Sequence, residues 1–341
     1  MSDRAVLLRM RNLALFGAAV FAAILLKTAW DDYDLARRRP PQRRLDSDDP
    51  AAARLEAHVR RLAGEIGRRS DRRPDGLEAA ANYIRGEFAR AGYAASEQPY
   101  TVVPPGAAEY AMKNLIAVLP AASPDAPVLV LGAHYDTALD TPGADDNASG
   151  VAALLELARS LRGLKSAVEI RFVAYATEEP PYFGTEEMGS AVHARALKKE
   201  GRRVLGMIGL EMLGYYDDAK GAQKYPPLLS PFFPDTADYV GAVSNLSSRA
   251  FLKSLARGYA PPRGTRLITA SLPEWIGEIT LSDHRNYWRE GFPAVMVTDT
   301  AFLRNVRYHQ TSDTPDTLDY ARMADATAGL EAAVRALAEK R

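Results

Sequence analysis

The sequence predicts an α/β domain: a central mixed, mostly parallel sheet with helices on both faces, an α/β/α three-layer arrangement. Apolar runs of strand length alternate along the chain with segments of helical period, the pattern of parallel strands joined by crossover helices. Three of those runs end in His or acidic residues: His134 and Asp136, Glu178 and Glu179, and Glu211. Parallel strands put such ends on one edge of the sheet, where ligands of open α/β sheets bind.

Composition narrows the chemistry. The 341 residues are 47% apolar, enough chain and enough greasy surface for a substantial core. Lys+Arg and Asp+Glu balance at 43 each, so there is no charge footprint for nucleic acid. Cysteine is absent, which excludes thiolate metal sites, disulfides and cysteine nucleophiles, and suits export without disulfides.

At the N-terminus, residues 13–26 are uncharged and rich in Leu, Ala and Phe; Lys27 interrupts the run and Thr28-Ala29-Trp30 extend it. These 18 residues span a bilayer if Lys27 snorkels and Trp30 sits at the interface. The small-residue site Val20-Phe21-Ala22 would leave Ile24-Leu25-Leu26 at a cleaved terminus, a poor signal-peptide product. The expected organisation is a retained anchor over 1–30, a charged, Pro-containing stalk over 31–50 and a catalytic domain over 51–341. Arg4, Arg9 and Arg11 precede the run, while Arg37, Arg38, Arg39, Arg43 and Arg44 follow it, so a positive-inside count does not choose the orientation. A short tail with three Arg resists translocation, whereas a long domain crosses largely regardless of charge. The expected place is therefore the cytoplasmic (inner) membrane, single-pass, with the domain outside; a secreted or periplasmic form after signal cleavage is the alternative.

The elements follow in order. Asp48-Asp49-Pro50 opens a helix to about residue 66, with Leu55, Val59, Leu62 and Ile66 on one face. Residues 75–91 repeat the pattern with Ala80, Ile84 and Phe88, and Gly92 stops it. Strands are expected at 100–103 and 114–119. The apolar run 127–131 leads into Gly132-Ala133-His134-Tyr135-Asp136-Thr137, and the helical pattern 151–161 leads out of Gly143-Ala144-Asp145-Asp146-Asn147-Ala148-Ser149-Gly150. Strands at 168–176, 204–210, 239–243 and 292–298 and helices at 190–199, 247–257 and 320–340 complete the domain. Residues 214–234 and 261–276 read as long irregular connections, which are often functional. There is no internal repeat.

His134 and Asp136, at i and i+2, point to one side of a strand end, and Asp146 follows 12 residues after the His where the loop returns. This suggests a metal site; the plainer reading is a turn with a buried His and helix-capping Asp and Ser. Two metals a few ångströms apart need a bridging carboxylate, terminal ligands and a base that binds neither. Glu178 and Glu179, as neighbours at a strand end, point to different sides, so one can ligate while the other faces the water. His309, one of only five His (58, 134, 193, 284 and 309), comes from the late irregular segment.

These residues, with Gly189-Ser190, Glu211-Met212, Ser282-Asp283-His284 and Tyr308-His309 before Asp313-Thr314, resemble the co-catalytic zinc exopeptidases. That family includes bacterial leucyl aminopeptidases, aminopeptidase Y and glutamate carboxypeptidase II. The likeness runs from about 110 to 320 and rests on the order and spacing of the motifs. It implies the phosphorylase/hydrolase-like fold of zinc-dependent exopeptidases, two Zn²⁺ per chain (Co²⁺ or Mn²⁺ also fit N/O ligands), and a peptide substrate. It implies that Asp146 bridges the metals, that His134 and Glu211 complete one site, and that Glu179 and His309 complete the other. Glu178 is then the general base that activates a metal-bridging water, Asp136 holds the His134 imidazole from behind, and Tyr308 faces the oxyanion or packs under the site. Asp145 is left to cap the turn. Asp283 and His284 are read as structural or substrate-facing, and His58 and His193 as surface or packing residues.

Three departures from the family stand out. Glu211 occupies a position that is usually Asp in the aminopeptidases. The insert Pro180-Pro181-Tyr182-Phe183-Gly184-Thr185 replaces a shorter segment and is expected to line the pocket for the substrate's terminal residue. Residues 215–234 form a long aromatic loop expected to cover the cleft. The leading expectation is an aminopeptidase. A carboxypeptidase, for which Arg285, Arg304 and Arg307 are candidate carboxylate binders, and a glutaminyl-cyclase-like acyltransferase, whose pattern loses the first His, are the same-fold alternatives. An inactive membrane-tethered binding protein is the third. Oligomeric state is not legible.

Overall fold

The computed structural model describes residues 49–104, 106, 108–225 and 229–339. The expected anchor and nearly all of the stalk lie outside them. Among the described residues no helix is long and apolar enough to cross a membrane.

Eight strands form one mixed sheet in the order β1-β2-β4-β3-β5-β8-β6-β7. They are β1 (Ser96–Val102), β2 (Tyr110–Leu119), β3 (Val128–His134), β4 (Glu169–Tyr175), β5 (Val204–Glu211), β6 (Tyr239–Asn245), β7 (Arg266–Leu272) and β8 (Ala294–Thr298). The centre, β4-β3-β5-β8, is parallel. β1 and β2 add antiparallel at one side, and β6 and β7, parallel to each other, join antiparallel to β8 at the other. The three strands that end in His or acid are therefore direct neighbours in the order β4-β3-β5.

Around the sheet lie α1 (Pro50–Val59), α2 (Pro74–Arg90), α3 (Gly150–Ser160), α4 (Gly189–Lys199), α5 (Arg249–Gly258), α6 (His284–Arg289) and α7 (Tyr320–Glu339). Every residue of β3 is buried, so neither of its faces meets water, as its unbroken apolar run requires. Leu129 and Leu131 share a core with Val151, Leu154 and Leu157 of α3 and Leu330, Val334 and Leu337 of α7. Asp49 caps α1 by accepting the Ala51 N–H at 2.8 Å, and Pro50 occupies the first turn, where its missing N–H costs nothing.

Three segments depart from expectation. The first helix widens at Arg60–Ile66, where the Leu62 carbonyl accepts from both the Gly67 N–H (2.9 Å) and the Arg69 guanidinium (3.1 Å). Residues 261–276, expected to be irregular, contain β7. Its apolar pattern is broken by Thr269 and Ser271, both buried, and the Ser271 hydroxyl bonds that of Ser244 on β6 at 3.0 Å. The six-residue α6 is too short to show a helical period.

Candidate metal centre

Three strand ends and two loops bring the predicted residues together. His134 closes β3, Glu178 and Glu179 follow β4, and Glu211 closes β5. Asp146 arrives in the turn Ala144–Ser149 and His309 in the segment after β8. Asp146 is the hub. Its Oδ1 lies 3.4 Å from His134 Nε2, and its Oδ2 lies 3.1 Å from His309 Nε2. Glu211 Oε2 stands 3.3 Å from His134 Nε2, and Glu179 Oε2 3.3 Å from His309 Nε2. Glu178 Oε2 is farther off, 4.0 Å from His134 Nε2.

Apart from His309, all of these side chains are buried. Four acids and two imidazoles in so little water perturb one another. Burial, reinforced by Glu179 and Glu211 against His134, holds the Glu178 carboxyl well above its ordinary range. Burial and the charge of Asp146 push Glu179 up to about 7. Burial also works to raise Asp146, but hydrogen bonds from His134 and His309 outweigh it and hold this carboxyl low. Burial opposes the proton on His309, yet Asp146 and Glu179 push its imidazole up to about 10. The cluster thus gathers positive charge from protons where a cation would serve better.

The donor set fits a metal. His134, Asp146 and Glu179 offer ligand atoms that all lie within 4.8 Å of one another. Glu179 Oε1 and His134 Nδ1 are buried without a hydrogen-bond partner. Imidazole nitrogen and carboxylate oxygen without sulfur suit Zn²⁺. That trio cuts across the expected division into two sites, because Asp146 stands between both halves.

The supports were only partly foreseen. Asp136 accepts the N–H groups of both Glu178 (3.1 Å) and Glu179 (3.0 Å), one on each oxygen. Its contact with His134 Nδ1, 3.4 Å, is long for a hydrogen bond. Asp136 therefore grips the acidic pair's backbone more closely than the imidazole. Asp313 does the same for the opposite loop, accepting the N–H of Asp145 (2.9 Å) and Asp146 (3.1 Å). Asp145, expected merely to cap a turn, ties three segments: it accepts from Gly214 N–H (2.9 Å), Asn305 (2.7 Å) and Ser149 (3.2 Å). Asn147 accepts from Met212 N–H at 3.0 Å and donates to the Leu210 carbonyl at 2.8 Å, bracing Glu211 on both sides. Gly143 has a positive φ of 61°, and a Cβ there would lie 2.2 Å from the Asp146 carbonyl, so only glycine fits.

Arg69 was missed. Fully buried, it donates to the carbonyls of Leu62, Gly67, Tyr135, Pro142 and Gly143 at 2.7–3.1 Å. It thereby welds the widened first helix to the loop between His134 and Asp146. Burial lowers its guanidinium to about 10, opposed by Asp136 and Asp313, so it stays charged at neutral pH. In the sequence it is one of several arginines in a polar stretch, with no pattern to mark it.

The other candidates resolve. The Tyr308 ring stacks on that of His309, centroids 3.8 Å apart. His284 turns away from the acids, its Nε2 on the Ile279 carbonyl at 2.7 Å, and Ser282 instead donates to Glu211 Oε2 at 2.7 Å. Asp283 is buried, and burial raises it to about 7. His193 packs inside with Nδ1 2.6 Å from the Tyr287 hydroxyl, and His58 meets Tyr83 at 2.7 Å. Arg304 is buried and engaged with Gln223 and the Tyr239 carbonyl. Arg307 lies over the Tyr215 ring. An apolar cavity includes Glu211 and Tyr308 in its lining, with Val243, Ile268, Leu272 and Met296 from β6, β7 and β8. Tyr225, Leu229 and Phe233 of the aromatic loop border it as expected. The insert at 180–185 does not line it, contrary to expectation; α6 and Asp71 hold that insert elsewhere.

A buried His/Asp/Glu cluster at the carboxyl edge of an α/β sheet is a candidate metal centre. The chain belongs to peptidase family M28, whose sequence profile matches residues 114–334, and it is a metallopeptidase. It is 41% identical over 285 residues to the uncharacterized protein YfbL of Escherichia coli (strain K12), covering 81% of this chain and 85% of that one. It is 31% identical over 237 residues to the probable leucine aminopeptidase 1 of Trichophyton verrucosum, covering 63% of this chain and 55% of the relative, just over half its length. Among solved structures, the aminopeptidase from Aneurinibacillus sp. strain AM-1 superposes with a TM-score of 0.61 at 17% identity, covering 89% of this chain and 95% of that one. The Fimbriiglobus ruber glutaminyl cyclase does so with a TM-score of 0.60 at 23% identity, covering 87% and 99%. Likeness at these identities establishes the shared fold.

Proposed function

We propose that the chain is a zinc-dependent aminopeptidase with two metal sites that share Asp146. His134 and Glu211 complete one site, and Glu179 and His309 the other. The carrying observation is that the two oxygens of Asp146 face different imidazoles, at 3.4 and 3.1 Å, each with its own partner glutamate. Zinc, when bound, supplies a Lewis acid.

The protein's own part is proton handling and orientation. Glu178, buried and set back from the His134 imidazole, takes a proton from the attacking water on its carboxylate and returns it to the leaving amine. Asp136 fixes where that carboxylate stands by gripping the Glu178 backbone. The Tyr308 hydroxyl, which makes no hydrogen bond among the described residues, is placed to donate to the oxyanion. The apolar cavity beside Glu211 accepts a large apolar side chain of the terminal residue. The leucine aminopeptidase relative supports this substrate class. Acyl transfer of the glutaminyl-cyclase kind is the second reading, on the fold shared with that enzyme.

The apolar run 13–30 supports tethering at the cytoplasmic membrane with the domain outside. Fractionation with protease protection of intact and opened cells tests it: a soluble, or protected cytoplasmic, domain contradicts it.

The test of activity is hydrolysis of an aminoacyl-nitroanilide panel by zinc-loaded protein. Chelation should abolish cleavage. Glu178→Gln should lower kcat by about 10²-fold or more while zinc content is kept. Zinc binding with cyclisation of N-terminal glutaminyl peptides, releasing ammonia and cleaving no peptide bond, would move the assignment to acyl transfer.

A further inference from the structure

In the insert that follows Glu178-Glu179, whose Tyr182 N–H donates to the Glu179 carbonyl at 3.0 Å, an aromatic ring carries an arginine with its hydrogen-bonding groups unused. The guanidinium carbon of Arg285 lies 5.0 Å from the centroid of Phe183 in the insert, a cation–π distance. Among the described residues this guanidinium donates no hydrogen bond and joins no ion pair; Glu178 is the acid whose charge reaches it. The insert itself is well held. Arg289 donates to the Gly184 carbonyl at 3.2 Å, and the Tyr182 hydroxyl donates to Asp71 at 2.9 Å. Phe183 is thus a fixed platform, and Arg285 an oriented fork of donors that is never neutral at physiological pH.

Position gives the fork its task. In the sheet order β4-β3-β5-β8-β6-β7, Glu178 follows β4 on one flank of His134, while the apolar cavity lies toward β8, β6 and β7 on the other. A peptide whose first side chain fills the cavity crosses His134 and leaves on the Glu178 side. The released amine forms there, and in a dipeptide the free carboxylate belongs to that same residue, about one residue length, roughly 3.5 Å, farther on.

We propose that Arg285, steadied by Phe183, receives the carboxylate of the released residue, so that the preferred substrates are dipeptides with a free C-terminus. This rests on the aminopeptidase reading. The reaction stays plain hydrolysis: the C–N bond breaks, water's oxygen joins the carbonyl carbon, its proton goes to the amine, and two free amino acids leave.

The experiment compares Leu-Leu, Leu-Leu-amide and Leu-p-nitroanilide with the full chain in detergent and zinc. A bond to a charged partner is worth about 1.5–3 kcal/mol, so kcat/KM should favour Leu-Leu over its amide by about 10- to 100-fold, chiefly through KM. In Arg285→Gln that ratio should fall to about one, and Arg285→Lys should restore part of it. Equal use of acid and amide by the wild type, or a preference that survives in Arg285→Gln, overturns the assignment while nitroanilide cleavage keeps the aminopeptidase reading. If the wild type cleaves none of the three, that reading fails and this assignment falls with it.

Discussion

Ser282 donates its hydroxyl proton to Glu211 Oε2 at 2.7 Å. That is the oxygen that stands 3.3 Å from His134 Nε2, so a small side chain outside the cluster decides how this candidate ligand is aimed. Glu211 has one more methylene to hold still than an aspartate would, and Ser282 holds it. Ser282→Ala should weaken zinc binding by about 10- to 100-fold, as loss of a ligand's outer partner does. Competition titration against a fluorescent chelator reads this directly, and unchanged affinity would show that Glu211 needs no such partner.

Asp136 accepts two backbone N–H groups with its two oxygens. Asp136→Asn keeps the shape but sets an amide NH₂ against one of those donors. The cost should be about 1–3 kcal/mol of stability from one unsatisfied buried group, with a drop in kcat because Glu178 is displaced. Urea melts and steady-state kinetics on the same variant check both, and a variant that loses neither denies Asp136 its gripping role.

Arg69 is the largest buried charge outside the cluster and binds five carbonyls. Arg69→Met removes every one of those donors at once. The loss should be about 3–5 kcal/mol, read as a lowered thermal midpoint. Arg69→Lys, which keeps the charge without the planar fork, should recover only part of it. A methionine variant as stable as the wild type would mean the first helix docks without this weld.

His193 makes the core sensitive to acid. Burial, with the charge of Arg171, lowers its imidazole from 6.5 to about 3. Between those values the unfolded chain binds a proton that the folded chain refuses. The stability of neutral His193 is therefore complete above about pH 6.5 and is lost as pH falls toward 3, by about 1.4 kcal/mol per pH unit in the middle of the window. His193→Gln keeps a polar partner for Tyr287 but cannot titrate. The stability gap between wild type and variant should shrink between pH 7 and pH 4 in urea melts, and a constant gap would contradict this.

Much of this was legible in the sequence for a physical reason. β3, β4 and β5 are apolar because both faces are covered, and they end where the apolar pattern breaks into His134, Glu178-Glu179 and Glu211. The ligand candidates stand out because buried acids are rare and must have a purpose. β7 was illegible because Thr269 and Ser271, buried in the strand, read as loop; the Ser271 hydroxyl pairs across strands with that of Ser244. Arg69 was not legible as what it is, since a guanidinium on five carbonyls and a solvated one are spelled alike; Arg285 was named as a candidate carboxylate binder, but nothing in the sequence shows that it rests on the Phe183 ring. The insert at 180–185 was read as rigid and aromatic; it does not line the apolar cavity, which only the strand order shows to lie toward β8, β6 and β7.

Asp136 and Asp313 both hold main-chain N–H groups, and neither grip depends on what the gripped residues carry as side chains. The loops bearing Glu178, Glu179 and Asp146 are thus shaped by carboxylates that do not belong to those positions. Exchanging the side chains at those three positions would leave both grips in place, and the two loops would still stand at the same edge of the same sheet.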